Sequence, residues 1–201
     1  MLRRIVCNME NYKKFMNRVK EKLILSIGNE RYLHSVRVME EAIRLANIYS
    51  CNEEKAAIAG LLHDCGKFRN EEELLKSTYD FGIIQRGTYI VNSALIHGAL
   101  GAEVARRELN IEDKDILDAI QYHTTGKEDM TLLEKIIYIS DYIEPGRNFP
   151  GVDKIRQLAY ENLDLALLNA MDKTIKHIID KGYYIHPDTI SARNYLINEI
   201  K

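Results

Sequence analysis

Apolar residues recur every three or four positions along almost the whole chain, and no alternating run lasts long enough for a strand. A sequence with that period buries its hydrophobic groups by packing helix against helix. Val19, Leu23 and Ile27 predict a first helix that stops near Gly28 and Asn29. In the next helix His34, Val38, Ala42, Leu45 and Tyr49 share one face. Asn52 reads as the cap of a short helix of small residues over 56–63, with Gly66 as its left-handed stop. Residues 69–87 are polar and weakly periodic, which predicts a loop with one or two helical turns. Helices follow over 92–109, 113–123, 132–143, 152–181 and 189–200, the last with Asp188 as N-cap. Pro145, Pro150 and Pro187 all fall in connections, as helices require. The expected fold is all-α, a bundle of orthogonal helices with no significant sheet. Residues 19–201 form one domain behind an N-terminal extension, 1–18.

Composition narrows the function. A chain of 201 residues that is 46% hydrophobic and 29% charged is an ordinary globular protein. A net charge of -2 gives no global attraction to nucleic acid or to an anionic membrane, so any phosphate-binding charge is local. Cys7, Cys51 and Cys65 lack paired zinc spacing and fit free thiols in a reducing cytoplasm. The N-terminus turns polar too early for a signal peptide, and the longest uncharged run, 87–102, is shorter than a membrane span. A soluble cytoplasmic protein is expected, and nothing in the chain opposes a homodimer.

His63 and Asp64 end an apolar helix side by side. That pair makes a poor core and a good metal site. His34, His97, His123 and Asp141 each lie on a further apolar helix face: His123 continues Ile116, Ala119 and Ile120, and Asp141 continues Leu133 and Ile137. An unpaired buried carboxylate costs on the order of several kcal/mol, so Asp141 needs a partner. Around His97, residues Gly98, Ala99, Gly101 and Ala102 let a backbone or ligand approach closely. A plainer reading stands beside each residue. A lone His on an apolar face is more often a hydrogen-bonded core residue, and Asp141 could cap or pair with Lys135 or Arg147. His177, beside Lys176, reads as surface. Four helices that each aim such a group inward favour a metal.

This order of ligands resembles the HD-domain metal-dependent phosphohydrolases. The strings HDCGK at 63–67, HGALGAE at 97–103, YHTTGKEDMTLLEKIIYISDYIEPGR at 122–147 and HPDTISARN at 186–194 resemble its YqeK-type branch, the symmetrical hydrolases of diadenosine tetraphosphate. The resemblance runs over residues 32–194, with Ser140 where that branch more often has Ala; the first ten residues lie outside it. It implies that His34, His63, Asp64 and Asp141 hold one metal. His97 and His123 then face a second metal or the phosphates, with Asp64 as the bridge and Asp64, His97 and His123 as the catalytic set. A mixed His and carboxylate set suits iron, manganese or zinc, and the resemblance favours iron, as one or two ions.

A polyphosphate needs cationic cover beyond metals. Lys67, Arg147 and Arg31 are candidates, against the usual fate of such residues as surface charge. Thr124, Thr125 and Gly126 follow His123 as a loop able to receive phosphate oxygens. Tyr183, Tyr184 and His186 offer stacking or ribose contacts. The expected activity is hydrolysis of diadenosine tetraphosphate to two ADP by water attack at phosphorus. One rival is another nucleotidase or deoxynucleotide phosphohydrolase of the superfamily. A non-catalytic nucleotide sensor predicts a damaged ligand set, and all six candidates are present.

Overall fold

The computed structural model describes residues 2–83 and 93–200. Among them are ten helices and no strand: α1 (Leu2–Ile27), α2 (Asn29–Ile48), α3 (Glu53–Leu62), α4 (Glu71–Asp80), α5 (Ser93–Leu109), α6 (Lys114–Tyr122), α7 (Leu132–Ile143), α8 (Val152–Glu161), α9 (Leu163–Asp180) and α10 (Pro187–Ile200). The all-helical expectation holds. Helix α1 runs unbroken through residue 18, and Val19, Leu23 and Ile27 on it are buried.

Helices α3 and α7 form the centre. Ala56, Ala57, Ala59, Gly60, Leu61 and Leu62 are all buried, so α3 is apolar around its circumference and packs on α2, α6 and α7. Gly60 lets the α2 backbone come close: a side chain there would press on Met39 Cα at 3.0 Å. Asn52 starts α3 by accepting from the Lys55 amide at 2.9 Å, the capping expected from sequence. Helix α7 buries Leu133, Ile136, Ile137, Ile139 and Ile143 against α2, α3, α6 and α9. It begins at a capping box in which Thr131 and Glu134 satisfy each other's backbone amides.

Four expectations change. Gly66 is not left-handed; a side chain there would collide with the His97 carbonyl and the Gly101 amide, so its role is close packing against α5. Within 69–87 lies a full helix, α4, started by Asn70 accepting from the Glu72 amide, while residues 84–87 fall outside the described range. The stretch 152–181 is two helices, because Asn162 adopts extended backbone and its side chain caps α9 through the Leu165 amide. Asp188 is inside α10, and the His186 ring accepts its amide instead at 3.2 Å. Asn92 and the Cys7 thiol lie outside what the structure describes; Cys51 and Cys65 are free.

Overpacking a tight core costs about 1–3 kcal/mol, and here backbone rather than a side chain would have to yield. Gly66→Ala should therefore sit at the upper end, lowering the urea midpoint without changing the slope. A variant as stable as the parent would show that the 63–66 turn can move off α5.

Candidate metal centre

Each donor leaves a buried helix face or a helix end. His34 comes from the first turns of α2 and His97 from α5; Asp141 lies in the last turn of α7. His63 and His123 stand at the C-caps of α3 and α6, and Asp64 directly follows His63. His63 and Asp64 are fully buried, and His34, His97 and His123 are nearly so. One oxygen of Asp64, Oδ2, faces His63 Nε2 at 3.4 Å and His34 Nε2 at 3.8 Å. The other, Oδ1, faces His97 Nε2 at 3.4 Å and His123 Nε2 at 3.5 Å. Asp141 Oδ1 completes the first side, 3.0 Å from His34 Nε2 and 3.8 Å from His63 Nε2.

Hydrogen bonds at the far nitrogens of His34, His63 and His123 fix which way those three rings are protonated, whereas Nδ1 of His97 has no hydrogen-bond partner among the described residues and its Nε2 lies 3.0 Å from His123 Nε2. Nδ1 of His63 lies 2.8 Å from the Gly60 carbonyl, and Nδ1 of His123 lies 2.7 Å from the Ile120 carbonyl. A carbonyl only accepts, so both Nδ1 atoms carry the proton and both Nε2 lone pairs point inward. The same contacts satisfy carbonyls that the ends of α3 and α6 would leave without partners. Nδ1 of His34 donates to Glu144 Oε1 at 3.1 Å. Its Nε2 lone pair then faces the Asp141 carboxylate, acceptor against acceptor, with no hydrogen-bond partner; His63 Nε2 has none either. Such a face needs a cation.

Electrostatics agree. Burial opposes the charge on Asp64, but His63, His123 and Lys67 outweigh it and hold its carboxyl well below the usual range. Asp141 is likewise held low against desolvation by His34, His63 and Arg147. Desolvation pulls His63 down, yet Asp64 and Asp141 raise its proton affinity overall. Burial, His123 and Lys67 drive His97 far down, so it stays neutral. Two groups, His34 with His63 and Asp141, and His63 with Asp64 and His123, keep their donor atoms within 4.8 Å of one another. Neighbouring donors around an ion with bonds of about 2.1 Å stand about 3.0–3.5 Å apart, so the set fits a divalent metal.

Residues 31–146 match the HD domain family. The chain belongs to the HD-domain family. This HD protein is 40% identical over 188 residues to the symmetrical bis(5'-nucleosyl)-tetraphosphatase of Halalkalibacterium halodurans, covering 92% of this chain and 100% of that relative. The Bacillus subtilis protein of the same name is 42% identical over 177 residues, with 86% and 92% covered. A crystal structure from Clostridium acetobutylicum, described as a predicted HD superfamily hydrolase involved in NAD metabolism, superposes with a TM-score of 0.87. It is 48% identical, covering 92% of this chain and 97% of that one.

The HD protein brings most of the expected substrate-side residues to the cluster. Arg31 Nη1 reaches Asp64 Oδ2 at 3.0 Å, Lys67 Nζ reaches Asp64 Oδ1 at 3.0 Å, and Arg147 Nη2 reaches Asp141 Oδ1 at 2.5 Å. Thr124 Oγ1 lies 3.2 Å from His97 Nε2 and 3.1 Å from His123 Nε2. Lys135 pairs with Asp164 and not with Asp141. Tyr183 and Tyr184 are exposed on the connection from α9 to α10, and His186 is held at the start of α10. His177 is on the surface, as expected.

Sequence reasoning missed Glu144. It is 2% exposed and holds His34 with one oxygen, while the other accepts from Arg37 Nε at 2.6 Å and from the Gly146 amide at 2.5 Å. These contacts keep it ionised against burial, with its carboxyl below the usual range. A signal was present: Glu144 stands three residues after Asp141 and would share its face if α7 ran one residue further. Arg37 joins Arg31 and Arg147 around a cavity of about 440 Å³ that opens beside His34.

A carboxylate that orients a ligating His is commonly worth about 10–100-fold in metal affinity. Glu144→Gln should weaken Mn²⁺ binding by that factor, read by calorimetric titration, with the helical circular dichroism unchanged. Parental affinity would show that His34 needs no orienting partner.

Proposed function

We propose that this HD protein hydrolyses diadenosine tetraphosphate symmetrically, releasing two ADP. The reading is carried by the full-length match to relatives that bear that activity in their name. The arrangement around Asp64 supports it, because each of its oxygens faces a different pair of histidines. His34, His63, Asp64 and Asp141 would hold one metal, with iron as our reading and manganese or zinc as the alternatives. His97 and His123 would face a second ion or the phosphates. Bound there, a divalent metal supplies Lewis acidity and acidifies water.

The chain's own groups do the rest. Asp64 presents a fixed negative charge whose two lone-pair faces are set by the end of α3. Arg31 contacts one oxygen of Asp64 and Lys67 contacts both, while Arg147 contacts Asp141, so cationic donors would meet a polyphosphate at its centre. Such preorganised charge stabilises the charge that develops on the transferred phosphoryl group. The Thr124 hydroxyl, between His97 and His123, receives a phosphate oxygen. Tyr183, Tyr184 and His186 would contact base or ribose from the end of α9 and the start of α10. The free Cys51 and Cys65 and the bacterial relatives support a cytoplasmic setting. No helix among the described residues is long and apolar enough to cross a membrane.

A second reading has one specific observation behind it: the 48% identical hydrolase is described as involved in NAD metabolism. A dinucleotide with a two-phosphate bridge would meet the same flanking cations. Chromatography of initial products from diadenosine tetraphosphate, NAD and nucleoside phosphates separates the two. Two ADP as sole initial product is expected; AMP with ATP would overturn symmetrical cleavage, and turnover of NAD alone would favour the second reading. Sedimentation of the same preparation reads whether the enzyme works as a homodimer.

The roles assigned to the donors are also separable. Asp64→Ala should abolish both turnover and bound metal. His97→Ala and His123→Ala should keep the metal held through His34, His63 and Asp141 and lose rate by orders of magnitude, each factor of ten being about 1.36 kcal/mol. Metal stoichiometry beside turnover is the measurement. Complete metal loss in all three variants would mean one indivisible cluster.

A further inference from the structure

The turn that closes α7 carries two groups that reach back into the cluster. Glu144 holds His34 at 3.1 Å, and Arg147 contacts Asp141 twice, through Nε to its carbonyl at 2.9 Å and through Nη2 to Oδ1 at 2.5 Å. Inside the turn the Gly146 amide donates to Glu144 Oε2 at 2.5 Å, the Glu144 amide to Ser140 O at 3.0 Å and the Arg147 amide to Glu144 O at 2.8 Å, and Pro145 contributes no donor, so the carbonyls at the helix end are left for groups from outside the turn. The last carbonyls of a helix lack partners inside it, and a cation at that end is favoured by the helix dipole.

Arg156, on α8, supplies both. Its Nε donates to Ile143 O at 2.9 Å, and its Nη2 lies 3.3 Å from Glu144 O and 3.4 Å from Arg147 O. Nη1 is anchored on exposed Asp153 at 2.5 Å, and the Arg156 side chain is only 24% exposed. One planar guanidinium thus spans the last helical residue and both residues whose side chains enter the site. A lysine at this place has no such fork.

We propose that Arg156 is a positioning residue for the hydrolytic site. Acting through the 143–147 turn, it sets the Glu144 carboxylate that orients His34 and the Arg147 guanidinium that meets the phosphates. This rests on the functional reading above, which makes His34 and Asp141 metal ligands and Arg147 a substrate contact.

The test compares the full-length wild type with R156M, R156K, R147A and the R156M/R147A double variant. Mn²⁺ affinity is read by calorimetry, and kcat and KM for diadenosine tetraphosphate are read at saturating Mn²⁺. R156M should bind Mn²⁺ about tenfold more weakly, the low end for a group that supports a ligating His. R156K should fall between R156M and the wild type. R156M should also raise KM several-fold with kcat nearly unchanged, and add no further rise in the R147A background, since coupled residues are non-additive. Should R156M fail to fold, R156K carries the same comparisons. A lowered melting temperature with wild-type Mn²⁺ affinity and KM would make Arg156 a helix cap and overturn the proposal, as would KM factors that multiply in the double variant. A wild type that binds Mn²⁺ but cleaves no dinucleoside polyphosphate overturns the functional reading instead, and the Mn²⁺ comparison alone then decides for or against Arg156. If the wild type binds Fe²⁺ supplied anaerobically but not Mn²⁺, Fe²⁺ replaces Mn²⁺ in every comparison; a wild type that binds neither overturns both.

Discussion

A fully buried carboxylate needs compensating charge on every side, and Asp64 organises this protein around that need. His63 precedes it, His34, His97 and His123 converge on its two oxygens, and Arg31 and Lys67 approach from the rim. Removing any one of these partners leaves charge stranded in the core. The packing of α2, α3, α5 and α6 is therefore tied to one side chain, and so is the spacing of the small residues that permit it. Gly60 admits α2, and Gly66 and Gly101 bring the 63–66 turn against α5.

The helix ends add to the same effect. His63 and His123 cap α3 and α6, and Asp141 is near the end of α7, so three C-termini with their partial negative charge point toward one place. Such a convergence repels anions and attracts cations. Nδ1–H groups from the two capping histidines answer the exposed carbonyls of α3 and α6, and Arg156 answers those of α7. The histidine bonds turn the other nitrogens inward, so the device that stabilises the helix ends also prepares the donors.

Much of this could be read from residue order. A histidine or aspartate on an otherwise apolar face announces a buried polar group, and all six such positions, His34, His63, Asp64, His97, His123 and Asp141, meet in space. The fold class followed from periodicity. What escaped did so for physical reasons. Glu144 lies just past a helix end beside Pro145, where an acid ordinarily faces water; its burial depends on α2 arriving with His34 and Arg37. Gly66 reads as a conformational stop because sequence cannot distinguish a glycine chosen for φ from one chosen for closeness. The break at Asn162 was hidden because the apolar period continues across it, although Asn162 with Asp164 carries a cap signal. Arg156 looks like any surface arginine until the α7 carbonyls are seen.

In the proposed reading, metal donors and substrate-side groups occupy different kinds of backbone. The putting-in-place of His34, His97 and Asp141 is done by rigid helices, whereas Lys67, Thr124 and Arg147 sit in the connections that follow Asp64, His123 and Asp141. Connections tolerate insertion and replacement far better than packed helices. Divergence can therefore rewrite what approaches the centre while the centre itself stays fixed. One scaffold of this kind is open to many phosphate esters and anhydrides by exchange of three short segments, and a designer seeking a new substrate would graft there and leave the helices alone.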